Sequence, residues 1–111
     1  MSRLATGIWV AAYRARLEAA GIPAYVTAKG DATAGAVLVK LATLDGKAVL
    51  YQRSIDLMTG ARAWGILSEG AEGDVDAAAA RQREFDPDLW VIEIESRDGR
   101  HLLDEDGLAD G

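Results

Sequence analysis

Asp86 and Asp88 stand on either side of Pro87, and Arg62, Trp64 and Arg81 precede them in the same half of the chain. Paired carboxylates can hold a divalent cation or divide acid and base work between them. Two carboxylates alone coordinate an ion thinly. Asp and Pro also start turns, where an Asp side chain accepts backbone N–H bonds, so the same residues have a purely local use. Arg62 or Arg81 brought beside Trp64 would make a cationic spot with an aromatic floor, suited to a carboxylate or a phosphate. Arg62, Trp64, Arg81, Asp86 and Asp88 are therefore the candidate ligand-binding set. Their spacing does not force them together, and arginines on an Ala-rich helix also serve solubility.

The remaining chemistry is sparse. His101 is the single histidine, which excludes a multi-histidine metal site within one chain. As a general base it would sit just after a turn, where catalytic geometry is hard to hold; an edge-strand histidine is the plainer reading. The chain has no cysteine, which removes disulfides, thiolate metal sites and Cys nucleophiles. No phosphate-binding glycine loop, HExxH or GxSxG pattern occurs. No catalytic residue, metal ligand set or cofactor is expected.

The chain has 111 residues and a net charge of −6, enough for one domain with its own core. The charge is uneven: residues 1–55 carry seven basic and three acidic side chains, and residues 56–111 carry five and fifteen. An acidic chain is a poor ligand for a phosphate backbone, so no nucleic-acid partner is expected. The asymmetry suits a basic partner or head-to-tail self-association, although an acidic C-terminal segment explains much of it. No apolar run reaches membrane-spanning length, and the N-terminus lacks a signal-peptide pattern, so no membrane association and a cytoplasmic location are expected.

These residues must be positioned by secondary structure. Residues 5–20 have helical spacing, with Ile8, Ala12, Ala15 and Ala19 on the face expected to point inward and Gly21 as the stop. Strands are expected at 24–29, 36–42, 47–53 and 61–68, with Asp45-Gly46 as a hairpin turn. A second helix is expected at 74–85, with Val75, Ala78, Ala79, Gln82 and Phe85 inward. Pro87 ends it, because the residue before a proline avoids the helical conformation. Residues 89–95 alternate, placing Trp90, Ile92 and Ile94 on one face of a strand and Leu89, Val91, Glu93 and Glu95 on the other. Glu93 and Glu95 can pair with Lys40 or Arg53 on a neighbouring strand. Asp98-Gly99 predicts a turn into a short edge strand at 100–103. Residues 104–111 are acidic and Gly-containing and are expected to be disordered, leaving a domain of 1–103. The fold class is α+β: one mostly antiparallel sheet of five to six strands with two helices on one face, mixed if the helical crossover lays the Trp90 strand parallel to a neighbour.

Trp9 and Tyr13 lie four apart, at the edge of the expected inward stripe of the first helix. Such a pair completes a core or faces a partner. With an Ala-rich core it becomes the candidate docking surface, since Trp and Tyr are favoured at interfaces.

Three blocks carry a resemblance: Gly7-Ile8-Trp9-Val10-Ala11-Ala12-Tyr13; Gly30-Asp31 with Ala34-Gly35-Ala36-Val37-Leu38-Val39-Lys40; and Phe85-Asp86-Pro87-Asp88-Leu89-Trp90-Val91. In this order and spacing they resemble domain-of-unknown-function family 1491, small single-domain proteins mainly of alphaproteobacteria, over nearly the whole chain to about Leu103. The resemblance implies a small bacterial domain and brings no catalytic residue, ligand or cofactor with it. The functional expectation is a non-enzymatic protein-interaction or accessory module, acting as a homodimer or on another bacterial protein. The alternative is a small anionic-ligand binder or minor enzyme using arginines near Trp64 with Asp86 or Asp88.

Overall fold

The computed structural model describes residues 4–55, 57–60, 62–105 and 107–108, without the side chain of Ile55. Helix α1 (Thr6–Ala19) is followed by strands β1 (Ala24–Ala28), β2 (Val37–Ala42), β3 (Lys47–Ile55) and β4 (Arg62–Ala71), helix α2 (Glu72–Phe85) and strand β5 (Trp90–Glu95). The strands form one sheet in the order β1-β5-β2-β3-β4. The β2–β5 pair is parallel and the other three pairs are antiparallel, so the α+β, mixed-sheet expectation holds. Helix α2 carries the chain from the β4 edge back to the slot beside β2, where β5 inserts.

The turn chemistry works as the residue types suggest. Asp45 accepts bonds from the Thr43 hydroxyl at 2.6 Å and the Lys47 N–H at 3.1 Å, and Gly46 takes a φ of 86°. Those bonds hold the Asp45 carboxyl below its ordinary pKa, the Thr43 hydroxyl contributing most. Gly21, at φ 73°, ends α1, and the Ile22 N–H reaches back to the Leu17 carbonyl at 2.9 Å.

The helices lie on opposite faces of the sheet, which corrects the expectation that both cover one. Trp9, Val10, Tyr13 and Leu17 of α1 pack with Val37, Val39 and Leu41 and with Trp90, Ile92 and Ile94. Val75, Ala78 and Ala79 of α2 pack with Leu38, Ala48, Leu50, Leu89 and Val91. The reason lies in β2, every residue of which is buried. A strand alternates its side chains between two faces, so an apolar run such as this needs cover on both.

The inward face of α1 is also corrected. Ile8 and the alanines 12, 15 and 19 are exposed, while Trp9, Val10, Tyr13 and Leu17 are buried. Both stripes have helical spacing. The bulky one wins because Trp and Tyr each remove roughly 150–250 Å² from water, far more than an alanine methyl. On α2 the expected inward Phe85 is exposed and Gln82 is not buried. The helix ends at Phe85, past the packed Val75-Ala78-Ala79 stripe.

The C-terminal region departs from expectation as well. The Asp98-Gly99 turn forms, but residues 100–103 make no strand. Leu102 and Leu103 are adjacent and both buried in the α1-side core, which strand alternation forbids; Leu102 takes a φ of 64° to manage it. Nor is the described part of 104–111 a loose tail. Leu108 is buried in the same core, and its carbonyl accepts the Trp64 Nε1–H at 3.3 Å. Positions 106 and 109–111 lie outside the described residues.

Candidate functional site

A cleft of about 400 Å³ opens at the end of the sheet where β2 begins. Three segments build it: the α1 N-terminus (Leu4, Thr6), the loop entering β2 (residues 33–36), and the α2 C-terminus (Gln82, Asp86). Gln52 and Arg53 close it from β3, which runs on past the Leu38–Gln52 pair, and Arg62 closes it from the start of β4.

The loop is fixed by its own residues. The Asp31 carboxylate accepts the Thr33 and Ala34 N–H groups at 3.2 and 2.8 Å. The Asp31 N–H donates to the Asp88 carbonyl at 2.9 Å, and the Asp31 carbonyl accepts Trp90 Nε1–H at 2.8 Å. The Thr6 hydroxyl donates to the Gly35 carbonyl at 2.7 Å, while the Thr6 and Gly7 N–H groups use the Thr33 and Ala32 carbonyls. Two orphan donors of the α1 N-terminus are thereby satisfied without a side-chain cap. Gly30 and Gly35 both press on the Asp88 carbonyl oxygen, where a β-carbon would come within 2.0 and 2.4 Å of it. Only glycine fits that approach.

The Asp86-Pro87-Asp88 segment therefore serves mainly as a turn. Asp86 accepts the Asp88 N–H at 3.1 Å and also lines the cleft; Asp88 contributes its backbone while its side chain is exposed. Arg62 lines the cleft, and Trp64, two residues on, shares its face of β4. Arg81 is exposed on α2 and is not among the lining residues. Of the five candidate ligand-binding residues, Arg62 and Asp86 are thus brought to one cleft with Trp64 behind it, whereas Arg81 and the Asp88 side chain are not.

Arg53 was missed by the sequence reading as a cleft residue. It lies directly across from Trp64 in the β3–β4 register. Its guanidinium carbon stands 5.7 Å from the ring centroids of both Trp9 and Trp64. Trp9 stacks on Trp64 at 5.4 Å and on Tyr13 at 5.0 Å. A run of three aromatics thus backs the arginine. Trp9 and Tyr13 are themselves fully buried, so the docking surface expected from them is corrected to core: their rings were needed to fill the α1 side of the sheet. Burial, with a smaller contribution from Tyr51, pushes the Tyr13 pKa up, and its hydroxyl donates to the His101 carbonyl at 2.8 Å. His101 accepts the Leu103 N–H on Nδ1 at 2.9 Å and rests its ring on Tyr51, so it anchors the C-terminal segment.

A second charged cluster lies on the α2 face. Lys40 is 4 % exposed, and its Nζ meets Asp76 at 2.6 Å, Glu72 at 2.7 Å and Glu93 at 2.9 Å. Glu93 is its neighbour in the parallel β2–β5 register, one of the pairings expected from sequence. Burial pulls the Lys40 pKa down, but the hydrogen bonds it donates to Asp76, Glu72 and Glu93 outweigh it and hold the ammonium charged well above the ordinary lysine range. Among the described residues no group of three or more His, Cys, Asp or Glu is placed to hold a metal ion. No helix of the described chain is long and apolar enough to cross a membrane.

The three sequence blocks that carried the family resemblance meet at this junction: the α1 N-terminus, the loop into β2 and the turn into β5. A family model described as "Protein of unknown function (DUF1491)" matches residues 4–104. The chain belongs to the DUF1491 family. A crystal structure of a DUF1491 protein from Caulobacter crescentus is 48 % identical, with a TM-score of 0.84 over 93 % of this chain and 97 % of that one. An NMR structure of a DUF1491 protein from the same organism gives 47 % and 0.81 over 95 % and 96 %. A solution structure of a protein from A. tumefaciens gives 36 % and 0.71 over 86 % and 87 %. No curated protein matches the chain. The DUF1491 fold is therefore that of a small bacterial domain seen in several solved relatives, and the chain covers nearly the full length of each.

Proposed function

We propose that this DUF1491 domain works by binding rather than by catalysis, and that the cleft receives a segment of a partner protein. The observation that carries this reading is a set of exposed apolar side chains on the segments that line the cleft or adjoin them in sequence. Leu4, a lining residue, is 53 % exposed, and Phe85, between the lining residues Gln82 and Asp86, is 87 % exposed. Leu57 and Met58, in the turn between the Arg53 and Arg62 ends of the β3–β4 hairpin, are 96 % and 92 % exposed. Large apolar side chains scattered singly over a surface need no explanation, but several on segments that converge on one concavity fit a docking site. Burying one such side chain is worth roughly 1.5–3 kcal/mol, so a few of them support a specific contact.

The test is recovery of a partner from native bacterial extract by the full chain and by the double variant Leu57→Ser, Phe85→Ser. The expected result is one protein recovered near stoichiometric amounts with the parent chain and lost with the variant. Bait alone, or equal recovery by both, would contradict the reading. Recovery of a second copy of the chain, checked by sedimentation, would assign these side chains to a homodimer.

A second reading has its own observation. Arg53 and Arg62 reach the cleft with Trp64 behind them, which suits a small carboxylate or phosphate. A rise in Tm with such an anion, abolished by Arg62→Gln, would favour it.

A further inference from the structure

The two walls of the cleft differ in hydrogen-bonding character. The α1-side wall is basic: Arg53 and Arg62 line it, and the buried Trp9 ring stands behind Arg53. Arg62 makes no ion pair among the described residues. The α2-side wall carries acceptors, the Asp86 carboxylate and the Gln82 amide oxygen. A guanidinium presents paired N–H groups that match the two oxygens of a carboxylate, and an aromatic backing strengthens that pairing by excluding water.

From this polarity we infer that the cleft takes its partner through an Asp or Glu side chain of an otherwise apolar segment. The carboxylate sits on Arg62, at the wall that Arg53 also lines, and flanking apolar side chains rest on Leu57, Met58 and Phe85. This names the chemistry of the partner and rests on the partner-binding reading above. The opposite wall favours a polypeptide over a free anion. Backbone N–H groups of a bound segment can donate to Asp86 and Gln82, whereas a free dianion would meet Asp86 as a repelling charge. The chain as a whole carries a net charge of −6, which makes this arginine wall a local exception, so an acidic segment is steered to it in particular.

The experiment is a selection of displayed random short peptides against the full chain, followed by tryptophan-fluorescence titration. The titrated probes are an enriched peptide, the same peptide with its acid replaced by the matching amide, and succinate. Enriched peptides are expected to place Asp or Glu beside apolar residues. Replacing the acid should weaken binding about tenfold or more, as loss of a charge-assisted pair does. Arg62→Gln should weaken the acidic peptide by a similar factor and leave the amide peptide unchanged, and Arg62→Lys should restore only part of the affinity. Far-UV circular dichroism and melting curves verify that both variants fold. Enrichment of apolar peptides without acids, or acidic-peptide binding unaffected by Arg62→Gln, would overturn the carboxylate assignment while leaving the partner-binding reading intact. Succinate bound as tightly as the peptide would overturn the polypeptide assignment. No enrichment at all would overturn both.

Discussion

Lys40 and Arg53 lie on adjacent strands and point to opposite faces of one sheet. Lys40 is enclosed, with three carboxylates within 2.9 Å of its ammonium and α2 supplying two of them. Arg53 is backed by two indoles and faces a cleft whose far wall belongs to another helix. The difference shows how one small domain uses basic residues in two ways. A saturated cation joins β2, β5 and α2 and has no hydrogen-bonding capacity left for a ligand. A cation held against aromatic faces lines an opening instead.

Removing Lys40 is expected to have the largest effect. Lys40→Ala leaves three carboxylates facing one another without their counter-ion and should cost about 3 kcal/mol, the low end for a broken buried pair because the carboxylates are partly exposed and screened by water. Urea denaturation measures it; a loss under about 1 kcal/mol would make the cluster an ordinary surface network. The pH dependence has a definite sign. Lys40 and Tyr13 both keep their protons in the folded state at a pH where the unfolded chain releases them. Their contribution is complete at neutral pH and is lost as pH rises through the alkaline range, beginning near the ordinary tyrosine value of 10.0. The alkaline limb of a stability curve should accordingly be shallower in Lys40→Ala.

An intermediate effect is expected at Leu108, which fills the α1-side core and holds Trp64 by its carbonyl. Leu108→Ala should cost about 2 kcal/mol or more through the cavity it leaves. An unchanged Tm would return this segment to a loose tail and leave the Trp64 side of the arginine wall unsupported. The smallest effect belongs to Arg62. Arg62→Gln should shift stability by no more than about 0.5 kcal/mol, because the side chain makes no ion pair among the described residues and lies at a strand end. A large loss would erase the contrast with Lys40.

Local signals in the sequence located most elements of the fold. Asp45-Gly46, the Gly21 stop, the Asp86-Pro87 break and the Trp90-Ile92-Ile94 alternation each act within a few residues, and each is realised in the structure. What escaped was decided by tertiary packing. The Ile8-Ala12-Ala15-Ala19 stripe has the right period but too little volume to fill the space over a sheet, and Trp9, Tyr13 and Leu17 took its place. Both faces of β2 are apolar save for Lys40, which already implied cover on two sides. For the cleft, Arg62 and Asp86 were named from residue type, yet Arg53 was not. It carries no motif and reaches Trp64 only through the β3–β4 register, which a count across the hairpin could have suggested. Gly30 and Gly35 looked like a simple connection; their role is to let the loop press against the Asp88 carbonyl.

Whether the arginine wall is a binding surface while the Lys40 cluster serves the fold is decided by following the three indole N–H signals by NMR. The acidic peptide taken from selection is added stepwise. Trp9 and Trp64 flank Arg53, whereas Trp90 is committed to the Asp31 carbonyl at 2.8 Å and serves as the internal reference. The Trp9 and Trp64 signals should shift to saturation in step with peptide binding while Trp90 stays in place. Peptide binding that leaves Trp9 and Trp64 unmoved, or that moves Trp90 alone, would contradict a binding role for the arginine wall.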